Sequence, residues 1–287
     1  MAGLGLGLLF VAIWASAFTA IKGVVPEWPP LWGLAARFGL VAPILLMVVA
    51  WRRAALPTRG DGWRLAAMGV FGTAGYLAGA WMASRTLPSG LVALLSSTAP
   101  LFVAAGEVLV LRQRMPPLAW AGLGLGWLGV VVLGAGRGLG GVGAAEAWGI
   151  ALALGGAVSQ AAGILAFAPA RRRIDAWTAN AAQTNVAAAT LLLLATAVEP
   201  VRPALPSLTL VLSLAYGVVV VGIGGYALYF KMLERLPPAT AAALQLLAPP
   251  LAAVFGWALL GERLAPTDLA GGAVTLAGLA LLFRARR

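Results

Sequence analysis

The sequence predicts an all-α integral membrane protein, with ten transmembrane helices in two inverted five-helix repeats. Three observations carry this. The 287-residue chain is 61% hydrophobic and 10% charged, with a mean hydropathy of +0.94, too few charges to cover a soluble protein of this length. Apolar stretches of about 18–23 residues follow one another with short breaks, and each is long enough to cross a hydrocarbon core of about 30 Å. Residues 85–101, RTLPSGLVALLSSTAPL, are echoed by residues 235–251, RLPPATAAALQLLAPPL.

The first span, 4–22, is apolar from its start and has no basic residues before it, so it does not read as a signal peptide. Ala15-Ser16-Ala17 has the form of a cleavage site, but the repeat described below argues that the span is retained. The second span, 31–51, stops at Trp51-Arg52-Arg53, and the third covers 64–84. The fourth, 89–111, follows Pro88 and holds Pro100. The run Arg112-Gln113-Arg114-Met115-Pro116-Pro117 separates it from the fifth, 117–136. The sixth, 145–168, precedes Ala170-Arg171-Arg172-Arg173, and the seventh, 176–198, stops at Glu199-Pro200. The eighth covers 208–231; the ninth, 238–260, opens on Pro238 and holds Pro250; the tenth covers 266–283. Strands are excluded because these runs lack period-2 alternation and are rich in alanine and leucine.

The net charge of +11 raises the question of nucleic acid, and the location of the charge answers it. With both termini in the cytoplasm, the cytoplasmic ends receive Arg52, Arg53, Arg59, Arg64, Arg112, Arg114, Arg171, Arg172, Arg173, Lys231, Arg235, Arg284, Arg286 and Arg287. The outer ends receive Lys22, Arg85, Arg137, Arg202 and Arg263. This is the positive-inside bias, so the basic residues set topology and no nucleic-acid partner is expected. Cysteine and histidine are absent, which removes disulfides, thiolate nucleophiles, imidazole bases and most zinc or haem chemistry. No cofactor or metal is expected.

At a spacing of 150, Tyr76 meets Tyr226, Arg85 meets Arg235, Pro88 meets Pro238, Pro100 meets Pro250, Gly106 meets Gly256, Pro116 meets Pro266 and Gly122 meets Gly272. At a spacing of 143, Ser16 meets Ser159, Pro26 meets Pro169 and Arg37 meets Asn180. Residues 1–138 and 139–287 then form two units. Five spans per unit is an odd number, so the second unit enters the membrane from the opposite side. This inverted arrangement is that of many secondary transporters, whose substrate sites lie near the midplane between the halves. Pro88 and Pro238 fall at helix starts, where a missing N–H costs little. Pro100 and Pro250 fall mid-span, where each removes a backbone bond and bends the helix, as a hinge or as a static packing kink.

Trp14-Ala15-Ser16-Ala17-Phe18-Thr19-Ala20-Ile21-Lys22 resembles the first-helix signature of the drug/metabolite transporter superfamily, EamA type. Ala248-Pro249-Pro250-Leu251, followed by Leu260-Gly261-Glu262-Arg263-Leu264, is similar to the end of that domain's second copy. Within the superfamily the chain looks most like the YddG branch of aromatic amino-acid exporters. The resemblance implies the EamA fold with a central cavity, a multi-pass place in the bacterial inner membrane with cytoplasmic termini, and export of aromatic and other neutral amino acids. The superfamily also contains exporters of other metabolites and carriers of nucleotide-sugars. It implies, too, that spans one, three, four, six, eight and nine surround the cavity.

Polar residues in those spans are the informative minority, because lipid burial is costly. Trp14, Ser16, Tyr76, Ser96, Ser159, Gln160, Tyr226 and Gln245 are the candidate substrate-binding residues, and Pro88, Pro100, Pro238 and Pro250 the candidate hinges. Ser97 and Thr98 read better as back-bonded to their own helix. Arg37, Asn180, Gln183, Thr184 and Asn185 lie in spans the resemblance makes peripheral, and Arg37 is near enough to its span's outer end to snorkel. Glu107 reads as an interfacial partner of Arg112 and Arg114. Gly124-Leu125-Gly126-Trp127-Leu128-Gly129 has the GxGxxG form, but it lies inside an apolar span and reads as close helix contact, with Gly122 and Gly126 as a small-residue face.

The expected partners are a small-molecule substrate and the lipid bilayer, with a monomer as the simplest assembly. A membrane enzyme fits poorly without histidine, cysteine, clustered carboxylates or a large loop. A channel fits less well than alternating access, because ten unequal spans make no symmetric pore. Lacking a midmembrane carboxylate, the chain is expected to work as a facilitated carrier, a uniporter.

Overall fold

The computed structural model describes residues 2–21, 24, 26–87, 92, 95–135, 144–199, 205–260 and 266–285. Pro88 lies outside them. Among the described residues there is no strand, and the chain runs through ten helical segments. These are α1 (Ala2–Ile21), α2 (Pro30–Trp51), α3 (59–83), α4 (95–109), α5 (Pro117–Ala135), α6 (144–170), α7 (Ala176–Val198), α8 (208–235), α9 (238–260) and α10 (Pro266–Ala285). Five described stretches are long and apolar enough to cross a membrane: Pro30–Trp51, Gly60–Ala83, Ala145–Ala170, Ala176–Val198 and Leu208–Arg235. Gly5–Ala17, Ala99–Leu109, Pro117–Val132 and Leu269–Ala285 are shorter apolar helices.

Local chemistry sets the helix ends. Asp175 accepts from the backbone N–H of Trp177 and Thr178 and starts α7. Ser207 does the same for α8 through Leu210 N. Two helices start instead on a proline pair, Pro29-Pro30 for α2 and Pro237-Pro238 for α9, neither of which carries a capping side chain. Each borrows a carboxylate from the other half of the chain. Glu199 at the end of α7 accepts from Leu31 N at 2.9 Å and Trp32 N at 3.4 Å. Glu107 on α4 accepts from Ala239 N at 3.1 Å. A negative charge at a helix N-terminus also suits the helix dipole. Glu107, read from sequence as an interfacial partner of Arg112 and Arg114, is therefore 1% exposed and directed at the start of α9.

The spacing of 150 reappears in backbone geometry. α3 contains a π-helical segment, Met68–Gly75, and α8 contains one at Gly217–Gly225. They end at equivalent glycines, immediately before Tyr76 and Tyr226. π segments are rare and concentrate at functional sites. The fourth and ninth helices also change at equivalent points. α4 turns at Ser97 and Thr98 before Ala99–Leu109, and α9 tightens into a 3₁₀ turn at Leu244–Leu247 before Ala248–Leu260. Pro100 thus stands in the first turn of a renewed helix, where a missing N–H costs little, and Pro250 follows the 3₁₀ turn within α9.

α5 and α10 run antiparallel in backbone contact. A Cβ at Gly122 would lie 2.6 Å from Leu282 N, and one at Gly129 would lie 2.5 Å from Thr275 N. Thr275 Oγ1 reaches Gly126 O at 3.3 Å and Gly271 O at 2.8 Å. The glycines of the GxGxxG stretch are a packing face, as small residues are where membrane helices approach closely.

The two ends of the bundle differ in charge. Arg173 pairs with Asp61, Arg64 Nη1 donates to Ala166 O, and the Arg52 guanidinium lies 5.6 Å from the Trp177 ring centroid. Antiparallel packing on α5 brings Arg284 to that same end. At the opposite end Arg85 stands 3.6 Å from Glu199, and Glu27 accepts from Ser207.

Candidate functional site

The core is threaded by an aromatic column built from α1, α2 and α8. Trp14 meets Tyr226 edge to face at 5.4 Å, and Phe10 stacks on Tyr229 at 5.4 Å. Phe38 on α2 meets Tyr226 at 6.0 Å, and Phe167 on α6 meets Phe230 at 5.3 Å. These spacings are those of favourable ring pairs. Trp14, Tyr76, Tyr226 and Tyr229 are each less than a tenth exposed.

Of the candidates named from sequence, the structure brings several together. Tyr76 on α3 lies beside Ser96 on α4 and within electrostatic reach of Tyr226 and Tyr229. Gln160 Nε2 donates to Gln245 Oε1 at 3.4 Å, a long bond between α6 and α9. Gln160 is 4% exposed, so its amide sits where few other partners reach it. Tyr226 on α8 lies beside Thr73 on α3.

Two serines spend their hydroxyls on structure. Ser159 Oγ donates to Phe71 O at 2.8 Å, in the π segment of α3. Ser16 Oγ bonds Ile13 O and the Tyr216 hydroxyl. These equivalent residues each join a helix to the π-containing helix beside it. Thr98 Oγ1 back-bonds Leu95 O at 2.6 Å.

The polar residues of α7 continue the network outward. Thr73 Oγ1 donates to Gln183 Oε1 at 2.6 Å, and Gln183 Nε2 donates to Asn180 and Thr184. Asn180 Nδ2 reaches Gly222 O at 3.3 Å in the second π segment. Buried amides need partners for both donors and acceptors, and this chain of bonds supplies them. It links α3 to α7 and to the irregular backbone of α8.

Tyr229, a polar residue of the eighth span, is not among the substrate-binding candidates named from sequence. Its hydroxyl is buried without a hydrogen-bond partner among the described residues, amid Phe10, Tyr226 and Phe230. An orphaned buried hydroxyl costs about 1–3 kcal/mol, so it is a position that a bound polar group would relieve. The signal in the sequence was its place one turn after Tyr226, on the same face. The arrangement as a whole offers apolar ring faces and uncharged donors and acceptors.

Comparison with known proteins agrees with this architecture. The EamA-like transporter family matches residues 1–135 and again 147–284. An uncharacterized inner membrane transporter of Escherichia coli K12, YedA, is 28% identical over 280 residues, covering 94% of this chain and 88% of its own. A probable amino-acid metabolite efflux pump of Salmonella typhimurium is 30% identical over 296 residues, covering 98% of this chain and 96% of its own. A crystal structure with 20% identity superposes with a TM-score of 0.80 over 99% of this chain and 98% of its own, which shows the shared fold. With a family match across both halves, the chain belongs to the EamA-like transporter family of the drug/metabolite transporter superfamily.

Proposed function

We propose that the protein is a secondary transporter that exports amino acids, aromatic and other neutral ones, across the bacterial inner membrane by alternating access. The observation that carries the substrate class is the combination around Trp14 and Tyr226: ring faces for an apolar side chain, with the Tyr229 and Tyr76 hydroxyls beside them and the Gln160–Gln245 pair as further uncharged polar groups. Such groups bind a zwitterion's polar ends while its side chain is held by rings. Family membership supports transport, and the name of the Salmonella relative supports amino-acid metabolites.

The two units, 1–138 and 139–287, are the bodies that rock about the site. Pro100, Pro238 and Pro250 stand where α4 and α9 begin or renew themselves, and Pro88 completes the set from sequence. Both termini face the cytoplasm, since the basic end of the bundle belongs there by the positive-inside rule. Transport is downhill and uncoupled, and the chain is not an enzyme. A second reading is export of another small metabolite or drug, because an apolar pocket distinguishes one methylene by only about 1–3 kcal/mol.

Purified protein in proteoliposomes, offered a panel of labelled amino acids, tests the proposal. Saturable uptake and counterflow of aromatic and neutral amino acids are expected. Flux without saturation means a channel, and counterflow of other solutes alone means the second reading.

A further inference from the structure

Arg37 is a buried cation with no carboxylate partner among the described residues. It lies on α2, seven residues past Pro30, about 10 Å along the helix, and is 6% exposed. The sequence suggested that it snorkels to the outer interface. Instead its side chain turns into the bundle. Nε donates to Gly217 O at 3.1 Å, where the π segment of α8 begins. The guanidinium carbon lies 5.3 Å from the Phe38 ring centroid, and the group is within electrostatic reach of Tyr226.

Among the described residues Arg37 has no carboxylate partner. Glu199 serves Leu31, Trp32 and Arg85; Glu107 serves Ala239; Asp61 serves Arg173; Glu27 serves Ser207. Arg37 lines a small cavity of about 10 Å³ with Ala17, Gly33, Trp81, Ser213 and Gly217, room for about one water. Taking an ion out of water costs several kcal/mol unless a counter-ion and hydrogen bonds compensate. An arginine facing a bundle interior marks a solute path by default. Its planar fork matches the two oxygens of a carboxylate.

We propose that Arg37 is the carboxylate subsite of the transport path, receiving the acid group of a solute whose apolar body lies against Trp14 and Tyr226. Phe38 and Tyr226 connect the two places directly. This rests on the export reading above and narrows it to solutes that carry a carboxylate. In the conformation described the subsite is too small for a carboxylate, and it widens when α1 and α2 separate from α8. Ser213 supplies a hydroxyl to the same carboxylate.

Counterflow competition in proteoliposomes tests it with four matched solutes: phenylalanine, phenylalaninamide, phenethylamine and 3-phenylpropionate. The wild-type protein is expected to prefer the two carboxylates over the amide and the amine by tenfold or more. Arg37→Gln is expected to reduce that preference to below threefold, and Arg37→Lys, which keeps the charge and loses the fork, to an intermediate value. Acid and amide competing equally in the wild type overturns the subsite and leaves amino-acid export standing. So does a folded Arg37→Gln that keeps the full preference. Should none of the four compete while an unrelated carboxylate solute does, amino-acid export fails and the subsite stands. The wild-type series reads out even where a variant does not fold.

Discussion

Gly79→Ala is the sharpest test of how closely α3 approaches α6. A Cβ at position 79 would lie 2.5 Å from Leu152 O and 3.0 Å from Gly156 Cα. Ordinary contact begins near 3.4 Å, so the two helices must part by nearly 1 Å. Both obstructing atoms are backbone, and neither can rotate aside. Overpacking of this kind costs about 1–3 kcal/mol. Alanine also improves helix propensity by up to about 1 kcal/mol, which would mask part of the cost. Gly155→Ala supplies the control: it lies on the other helix of the pair, α6, is exposed, and has nothing within 4 Å of the added carbon. Subtracting one variant from the other leaves the clash alone, about 1–3 kcal/mol. Thermal unfolding of both in detergent is the assay, with Gly79→Ala expected to melt several degrees below Gly155→Ala. If Gly79→Ala is as stable as Gly155→Ala, the backbone contact beside Tyr76 is not as described.

Three further outcomes follow from the geometry. Glu199→Ala strips the buried N–H of Leu31 of its acceptor and is expected to lower stability by about 1–3 kcal/mol, while Glu199→Gln keeps an oxygen there and costs less; equal losses in thermal unfolding would contradict the capping role. Glu107→Gln likewise keeps an acceptor for Ala239 N, so downhill export is expected to persist in that variant and in the presence of a protonophore, and proton-driven accumulation abolished by Glu107→Gln would make Glu107 a relay instead. A reporter active only in the cytoplasm, fused after Arg287, is expected to be active, and activity of a periplasmic reporter alone would reverse the topology.

The sequence made the scaffold legible because lipid imposes it. Helices must satisfy their own backbone groups in a bilayer, so hydropathy located them to within a few residues. The pairing of Tyr76 with Tyr226 pointed to equivalent places, and the structure sets both directly after π segments. The segments themselves were not legible. A π turn adds a residue to the helical register, so counting at 3.6 residues per turn misjudges which face follows it. Ser159, on the regular helix α6, bonds into the first of these segments at Phe71 O. Arg37 was misread for a related reason. Depth along α2 allowed snorkelling, but the side chain packs against Gly217, where a Cβ would lie 3.3 Å from Arg37 Cδ, and donates to its carbonyl inside the bundle. Nothing local marks Glu107 and Glu199 as caps, since their helices start 132 and 168 residues away.

Single alanine replacements of Tyr76, Gln160 and Gln245, with amino-acid counterflow measured beside folded yield and thermal stability, test the central claim most directly. The account predicts lost or altered transport in folded, normally stable protein, because these groups face the solute between the halves. Normal transport in all three, or failure only through misfolding, would contradict it and return the tyrosine and the glutamine pair to the role of packing residues.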